Sequence, residues 1–113
     1  MSAADTVIHS DDSTMTSPEQ GLLRQVMSYS PKLMLVRHKA EPGWVGAPHS
    51  HPHEQIVYVV SGSIQLTVAG VAHTLRAGDS LWVAGGAEHQ ASSEQGAEIL
   101  DIFTPYREEY AAQ

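Results

Sequence analysis

The sequence predicts an all-β domain, a sandwich or barrel of short antiparallel strands, and three observations carry that expectation. From Gln55 onward apolar and polar residues alternate with period 2. Glycine-containing turn signals separate these runs at regular spacing, the pattern of sandwiches and barrels. At 113 residues the chain can bury one core but has no room for a second barrel, and no internal repeat is evident.

Taken in order, residues 1–20 read as a flexible N-terminal arm and residues 21–113 as the barrel domain. The first 18 residues are rich in Ser, Thr, Asp and Ala with only Val7, Ile8 and Met15 to bury, and His9 among them reads as solvated. Ser17-Pro18-Glu19-Gln20 resembles a helix start, with a capping serine, proline at the first helical position and Gln three residues after the cap, although Gly21 weakens it. Met34, Val36 and His38 alternate with Leu35, Arg37 and Lys39, so residues 33–40 form a strand, and residues 22–29 another. Residues 56–60 are β-branched and aromatic and end at Ser61-Gly62; residues 64–68 alternate before Ala69-Gly70. Both pairs read as hairpin turns. Residues 71–76, 80–83, 89–92 and 98–103 supply four more strands. Opposite faces of the strand after Gln55 are both apolar: Ile56, Tyr58 and Val60 on one side, Val57 and Val59 on the other. Both need cover, which predicts self-association as a homodimer.

Composition narrows the function classes. Hydrophobic residues make up 42% and no apolar run approaches membrane-spanning length, so no membrane partner is expected. The absence of cysteine excludes a disulfide framework and thiolate catalysis, leaving mainly nitrogen and oxygen ligands for a metal. A net charge of −7 makes nucleic acid a poor partner. Nothing at the N-terminus resembles a secretion signal, so a cytoplasmic location is the expectation.

The chemistry concentrates in His49-Ser-His51-Pro-His53-Glu54-Gln55, answered much later by His89. Histidines two apart lie on the same side of an extended strand, about 6.6 Å apart along the chain, close enough to converge on one ion. Gln55 shares the parity of His51, and His89 returns from a distant strand to close the shell. The cluster reads as a mononuclear site for one divalent transition metal, with Ni, Zn, Mn and Fe all open. Alternatively, the histidines are polar loop residues and Gln55 an amide bonded to the barrel wall. His53 follows Pro52, which disturbs the strand, so a supporting or surface role is favoured over ligation. His38 and His73 lack a partner motif and read as structural.

These residues carry a resemblance. Gly43, five residues, His49-x-His51, three residues, Gln55, six residues and Gly62 is similar to the first motif of the cupin superfamily, with Gln55 where that motif usually has Glu. Gly78, five residues, Ala84, one residue, Gly86, two residues, His89, three residues and Ser93 is similar to the second, with Ala84 and Ser93 in the usual Pro and Asn positions. The resemblance spans roughly residues 33–104 and implies a small double-stranded, jelly-roll type β-barrel holding one divalent metal, commonly as a homodimer. The Gln matters chemically: three imidazoles and an amide leave the full charge on a divalent ion. Such a site is a stronger Lewis acid, which favours isomerisation, tautomerisation, lyase or hydration chemistry over oxygen activation.

A second constellation is Asp101-Ile-Phe103-Thr-Pro-Tyr106-Arg107-Glu-Glu-Tyr110. Ile99, Asp101 and Phe103 share one strand face, so Asp101 either stands beside an apolar wall as an acid/base group or points to solvent at a sheet edge. Arg107 either presents a fork to a substrate carboxylate or pairs with Glu108 or Glu109. HSHPHEQ followed by Asp-x-Phe-x3-Arg resembles the single-domain cupins of pectin and alginate breakdown that open unsaturated uronate rings to linear keto sugars. That resemblance implies His49, His51, Gln55 and His89 as metal ligands. It implies Asp101 as acid/base, Phe103 as a wall and Arg107 as the carboxylate binder for a small acidic sugar. The alternatives are an Fe(II)-type dioxygenase with the same ligands and a non-catalytic module that binds a small carboxylate.

Overall fold

The computed structural model describes residues 7–112. Nine strands run in chain order: β1 (Thr16–Glu19), β2 (Leu22–Ser30), β3 (Leu33–Ala40), β4 (Trp44–Val45), β5 (Glu54–Val68), β6 (Val71–Arg76), β7 (Ser80–Val83), β8 (His89–Ser93) and β9 (Ala97–Thr104). A short helix α1 (Glu108–Ala111) follows. All pairings are antiparallel: β1-β2-β3-β9-β5-β7 forms one sheet and β6-β5-β8-β4 the other. The two sheets curl into the double-stranded barrel that the sequence predicts.

Strand β5 belongs to both sheets, which corrects one expectation. Ser61-Gly62 is not a hairpin turn; β5 continues through it. Residues 54–62 pair with β9, and residues 63–68 pair with β6 and β8, the register slipping between Val59 and Ser61. A bulge bends a strand and increases its twist, so one strand can change sheets without a loop. Gly62 has a φ of 75°, and a Cβ there would lie 2.1 Å from the Gly96 carbonyl oxygen. Only glycine allows the two backbones this close. Ala69-Gly70 is the true hairpin turn, with φ of 48° and 83°.

A second correction concerns Ser17-Pro18-Glu19-Gln20. It lies in and just after β1 and does not start a helix. The Ser17 hydroxyl donates to the Glu19 carbonyl (3.1 Å) instead of accepting from an N–H, and Gly21 at positive φ turns the chain back into β2. Ahead of β1, Asp12 accepts from Arg37 (2.9 Å) and Lys39 (2.6 Å), while Gln25 donates to the His9 carbonyl (3.0 Å). Residues 1–6 of the expected arm lie outside the described residues.

Inward-facing alternate residues fill the barrel. Val57, Val59, Ile64, Leu66, Leu75, Val83 and Ile99 make the main cluster. Met34, Val36 and Phe103 make a second, against which Tyr29, Tyr106 and Tyr110 pack at the C-terminal end. Along β9 the alternation is clean: Ile99, Asp101 and Phe103 are buried while Leu100 and Ile102 are only half-buried. Among the described residues no helix is long and apolar enough to cross a membrane.

Candidate metal centre and cavity

The expected strand through His49 and His51 does not form: His49 makes an isolated bridge to His89 and His51 lies in the loop ahead of β5, and this loop and β8 bring three imidazoles together. His49 bridges directly to His89, exchanging N–H···O bonds of 3.0 and 2.8 Å. One ring nitrogen from each of His49, His51 and His89 lies within 4.8 Å of the other two, close enough for one ion.

The surroundings of His49 and His89 fix the proton on each of those rings. Every Nδ1 faces a backbone carbonyl: His49 with Ala47 (3.1 Å), His51 with His53 (3.1 Å) and His89 with Ala87 (2.9 Å). A carbonyl only accepts, so in His49 and His89 Nδ1 carries the proton and Nε2 presents a lone pair, whereas a neutral His51 has one proton for acceptors at both nitrogens and leaves one of these contacts between lone pairs. The Nε2 of His89 is buried without any partner. Gln55 adds a further lone pair. Its Nε2 donates to Asp101 Oδ1 at 2.8 Å, which leaves Oε1 facing His51 Nε2 at 3.1 Å. Two acceptors in contact repel unless a cation sits between them, so the donor set fits a divalent metal.

Burial, then the nearby positive charges of Arg107, His89 and His49, holds the His51 pKa down at about 4. His89 is lowered as well, mainly by burial. Both rings therefore stay neutral and ready to coordinate at neutral pH. For the metal-free protein the sign follows: unfolded histidines take protons near pH 6.5 while folded His51 resists until about 4. The unfolded state binds more protons in that window, so stability falls as pH drops through it. Urea midpoints measured from pH 7 to 5 should decrease, and the slope should flatten in His51→Gln. A midpoint that holds or rises would contradict this account.

Asp101 lies beside the histidines, 6% exposed and held at both oxygens. Gln55 donates to Oδ1, and His38 Nδ1 lies 2.6 Å from Oδ2. The alternative that Asp101 points to solvent is thereby excluded. Arg107 is buried, and one terminal nitrogen reaches Glu109 at 3.2 Å, as its alternative pairing allowed. Its Nε and other terminal nitrogen are buried without a partner, which leaves two unsatisfied donor nitrogens. The guanidinium carbon stands 4.3 Å from the Tyr110 ring centre and 5.2 Å from that of Phe103. Phe103 is the wall between Arg107 and His51, whose ring it meets edge-on at 5.7 Å. His53 is outside the metal cluster. Its Nε2 donates to the Tyr106 carbonyl (3.1 Å), tying the histidine loop to the segment that carries Arg107.

His49, Gln55, His89, Asp101, Phe103 and Arg107 line one cavity of about 390 Å³. Its lining also includes Tyr110, from the C-terminal constellation, and Arg24, His38 and Trp44, which the sequence did not assign to the site. His38 left a signal: a lone polar residue on the buried face shared by Met34 and Val36. Arg24 left none, since its cross-strand pairing with His38 exists only once β2 and β3 are in register.

Gln55 thus does two things that a glutamate could not combine, offering an oxygen to the histidine cluster and a donor to Asp101. Gln55→Glu should retain metal but set two carboxylates against each other and offset the ion's charge, lowering turnover by about tenfold or more. Wild-type activity in a metal-replete variant would refute the need for an amide.

The Cupin domain model matches residues 36–103 of this chain. The chain is 33% identical over 92 residues to a pectin degradation protein, KdgF, from Dickeya dadantii (strain 3937), covering 80% of this chain and 84% of that protein. Among solved structures it is similar to KdgF from Halomonas sp., with a TM-score of 0.81 and 33% identity over 85% of this chain and 89% of that one. It is also similar to an RmlC-like cupin from Shewanella frigidimarina, with a TM-score of 0.84 and 34% identity over 89% and 93% of the two chains.

Proposed function

The chain belongs to the cupin domain family, and from that premise we propose that it is a metal-dependent enzyme that opens unsaturated uronate rings to linear keto sugars. The observation that carries this reading is one cavity lined by two members of the three-histidine cluster, His49 and His89, together with the buried Asp101 carboxylate and the Arg107 guanidinium, which keeps two unpartnered donors. The likeness to a pectin degradation protein supports the substrate class.

His49, His51 and His89 through Nε2, with Gln55 through Oε1, would hold one divalent transition metal, and that ion would polarise a substrate oxygen and lower the pKa of its proton. Arg107 supplies its two free N–H groups to the substrate carboxylate. Phe103 closes the wall behind it. Asp101 takes the hydroxyl proton as the ring C–O bond breaks, leaving a carbonyl and an enolate, and returns that proton to carbon as the enolate becomes a ketone, so the reaction is a net isomerisation. The test is loss of the unsaturated-ring absorbance with metal-loaded protein. A rate no greater than spontaneous opening, or oxygen uptake in its place, would overturn the assignment.

A homodimer belongs to the same proposal, as does the division into an arm of residues 1–20 and a barrel domain of residues 21–113. Ile56, Tyr58 and Val60 are 38–41% exposed on the outer face of the sheet, beside Trp82 at 58%. An apolar face of this kind favours a covering partner. Light scattering at micromolar concentration should give twice the chain mass, and a strict monomer would count against it.

A further inference from the structure

Behind Asp101 stand two residues that the proposed reaction has not used. Arg24 Nε donates to His38 Nε2 at 2.9 Å, and His38 Nδ1 meets Asp101 Oδ2 at 2.6 Å. We propose that Arg24 and His38 are positioning residues for Asp101: Arg24 fixes His38 as its Nδ1–H tautomer, and that N–H aims the Asp101 carboxylate into the cavity.

The proton placement follows from donor and acceptor chemistry. A guanidinium only donates, so the His38 nitrogen that it faces must be a lone pair. A neutral imidazole has one N–H, which is then on Nδ1 and points at the carboxylate. An imidazolium would set an N–H against the Arg24 N–H. His38 is 7% exposed, and each of its ring nitrogens has a partner. Arg24 is itself held in place, its guanidinium carbon 3.8 Å from the Tyr110 ring centre. With Gln55 donating to Oδ1, both Asp101 oxygens are bonded from fixed directions, so the carboxylate cannot swing away.

The catalytic consequence rests on the reading of Asp101 as the group that moves the proton. Once Asp101 is protonated, that proton has no route out through His38, because Arg24 keeps the far nitrogen from accepting a hydrogen. The proton therefore stays at Asp101 for return to the substrate. Arg24 and His38 act through Asp101 and need not touch the reacting atoms.

Two measurements on the full-length protein test this. Long-range proton–nitrogen NMR of the imidazoles, with the His38 signals assigned by their absence in His38→Asn, should show a protonated Nδ1 and an unprotonated Nε2. In Arg24→Met the two nitrogens should move toward a mixture of tautomers. In the ring-opening assay His38→Leu should lower kcat by about 10–100-fold with KM unchanged. His38→Asn, whose amide can donate from near the Nδ1 position, should recover most of the loss. An N–H on Nε2 at neutral pH, or wild-type kcat in folded, metal-loaded His38→Leu, would overturn the proposal. If the wild-type protein opens no uronate ring, the proposed reaction fails, while the tautomer measurement still decides the arrangement of Arg24 and His38.

Discussion

Asp101→Asn is expected to lower kcat by about 10²- to 10⁴-fold while leaving KM nearly unchanged, the range commonly contributed by a positioned acid/base group. Asparagine keeps the volume and one acceptor oxygen, so Gln55 retains its partner while the group that takes the proton is gone. Its amide also places a donor where His38 now donates. Arg107→Ala should separate from this variant by raising KM more than it lowers kcat, since in the proposed reaction the two unpartnered donors of Arg107 would hold the substrate carboxylate and would not move a proton. Steady-state rates from the fall in ring absorbance give both constants. If Asp101→Asn turned over like wild type, proton transfer would have to be assigned to another group.

Gly62→Ala should destabilise the fold by about 2–5 kcal/mol, combining the cost of a left-handed backbone with an overpacked contact. The added methyl would lie 2.1 Å from the Gly96 carbonyl oxygen and 2.8 Å from the Ala97 Cα, both backbone atoms of the neighbouring chain segment. Neither can yield without breaking the pairing of β5 with β9. Gly70→Ala is the internal control. It also has a positive φ, at 83°, yet nothing lies within 4 Å of the added atom, so only the backbone term of about 1–2 kcal/mol should appear. Urea unfolding of the two variants tests the comparison, and equal losses would mean that the close approach at Gly62 carries no energy.

Much of this molecule is set by local pattern. Period-2 alternation is enough to place residues 33–40, 71–76 and 80–83 as strands with the bounds that the structure has, because one face of each strand must be buried. The same parity rule turns Asp101 inward with Ile99 and Phe103, whereas His49 and His51 lie in the loop ahead of β5 and converge only in the fold. Where local signals compete, sequence is insufficient. Ser17-Pro18-Glu19-Gln20 meets the local criteria for a helix start, but β2 offers an edge with which to pair, and pairing wins. Ser61-Gly62 has turn chemistry, yet the neighbours on β9, β6 and β8 draw β5 straight through it.

What the sequence determined by itself was the all-β barrel and the inward face that carries Asp101 and Phe103, since burial parity is a property of neighbouring positions. Only the tertiary structure decided that Arg24 meets His38, that His38 meets Asp101, and that Gln55 turns its donor to Asp101 and its oxygen to the histidines. Those contacts join β2, β3, β9 and β5 across separations of up to 63 residues. Hydrogen-bond direction depends on which partner stands opposite, and that is fixed only when the strands fall into register.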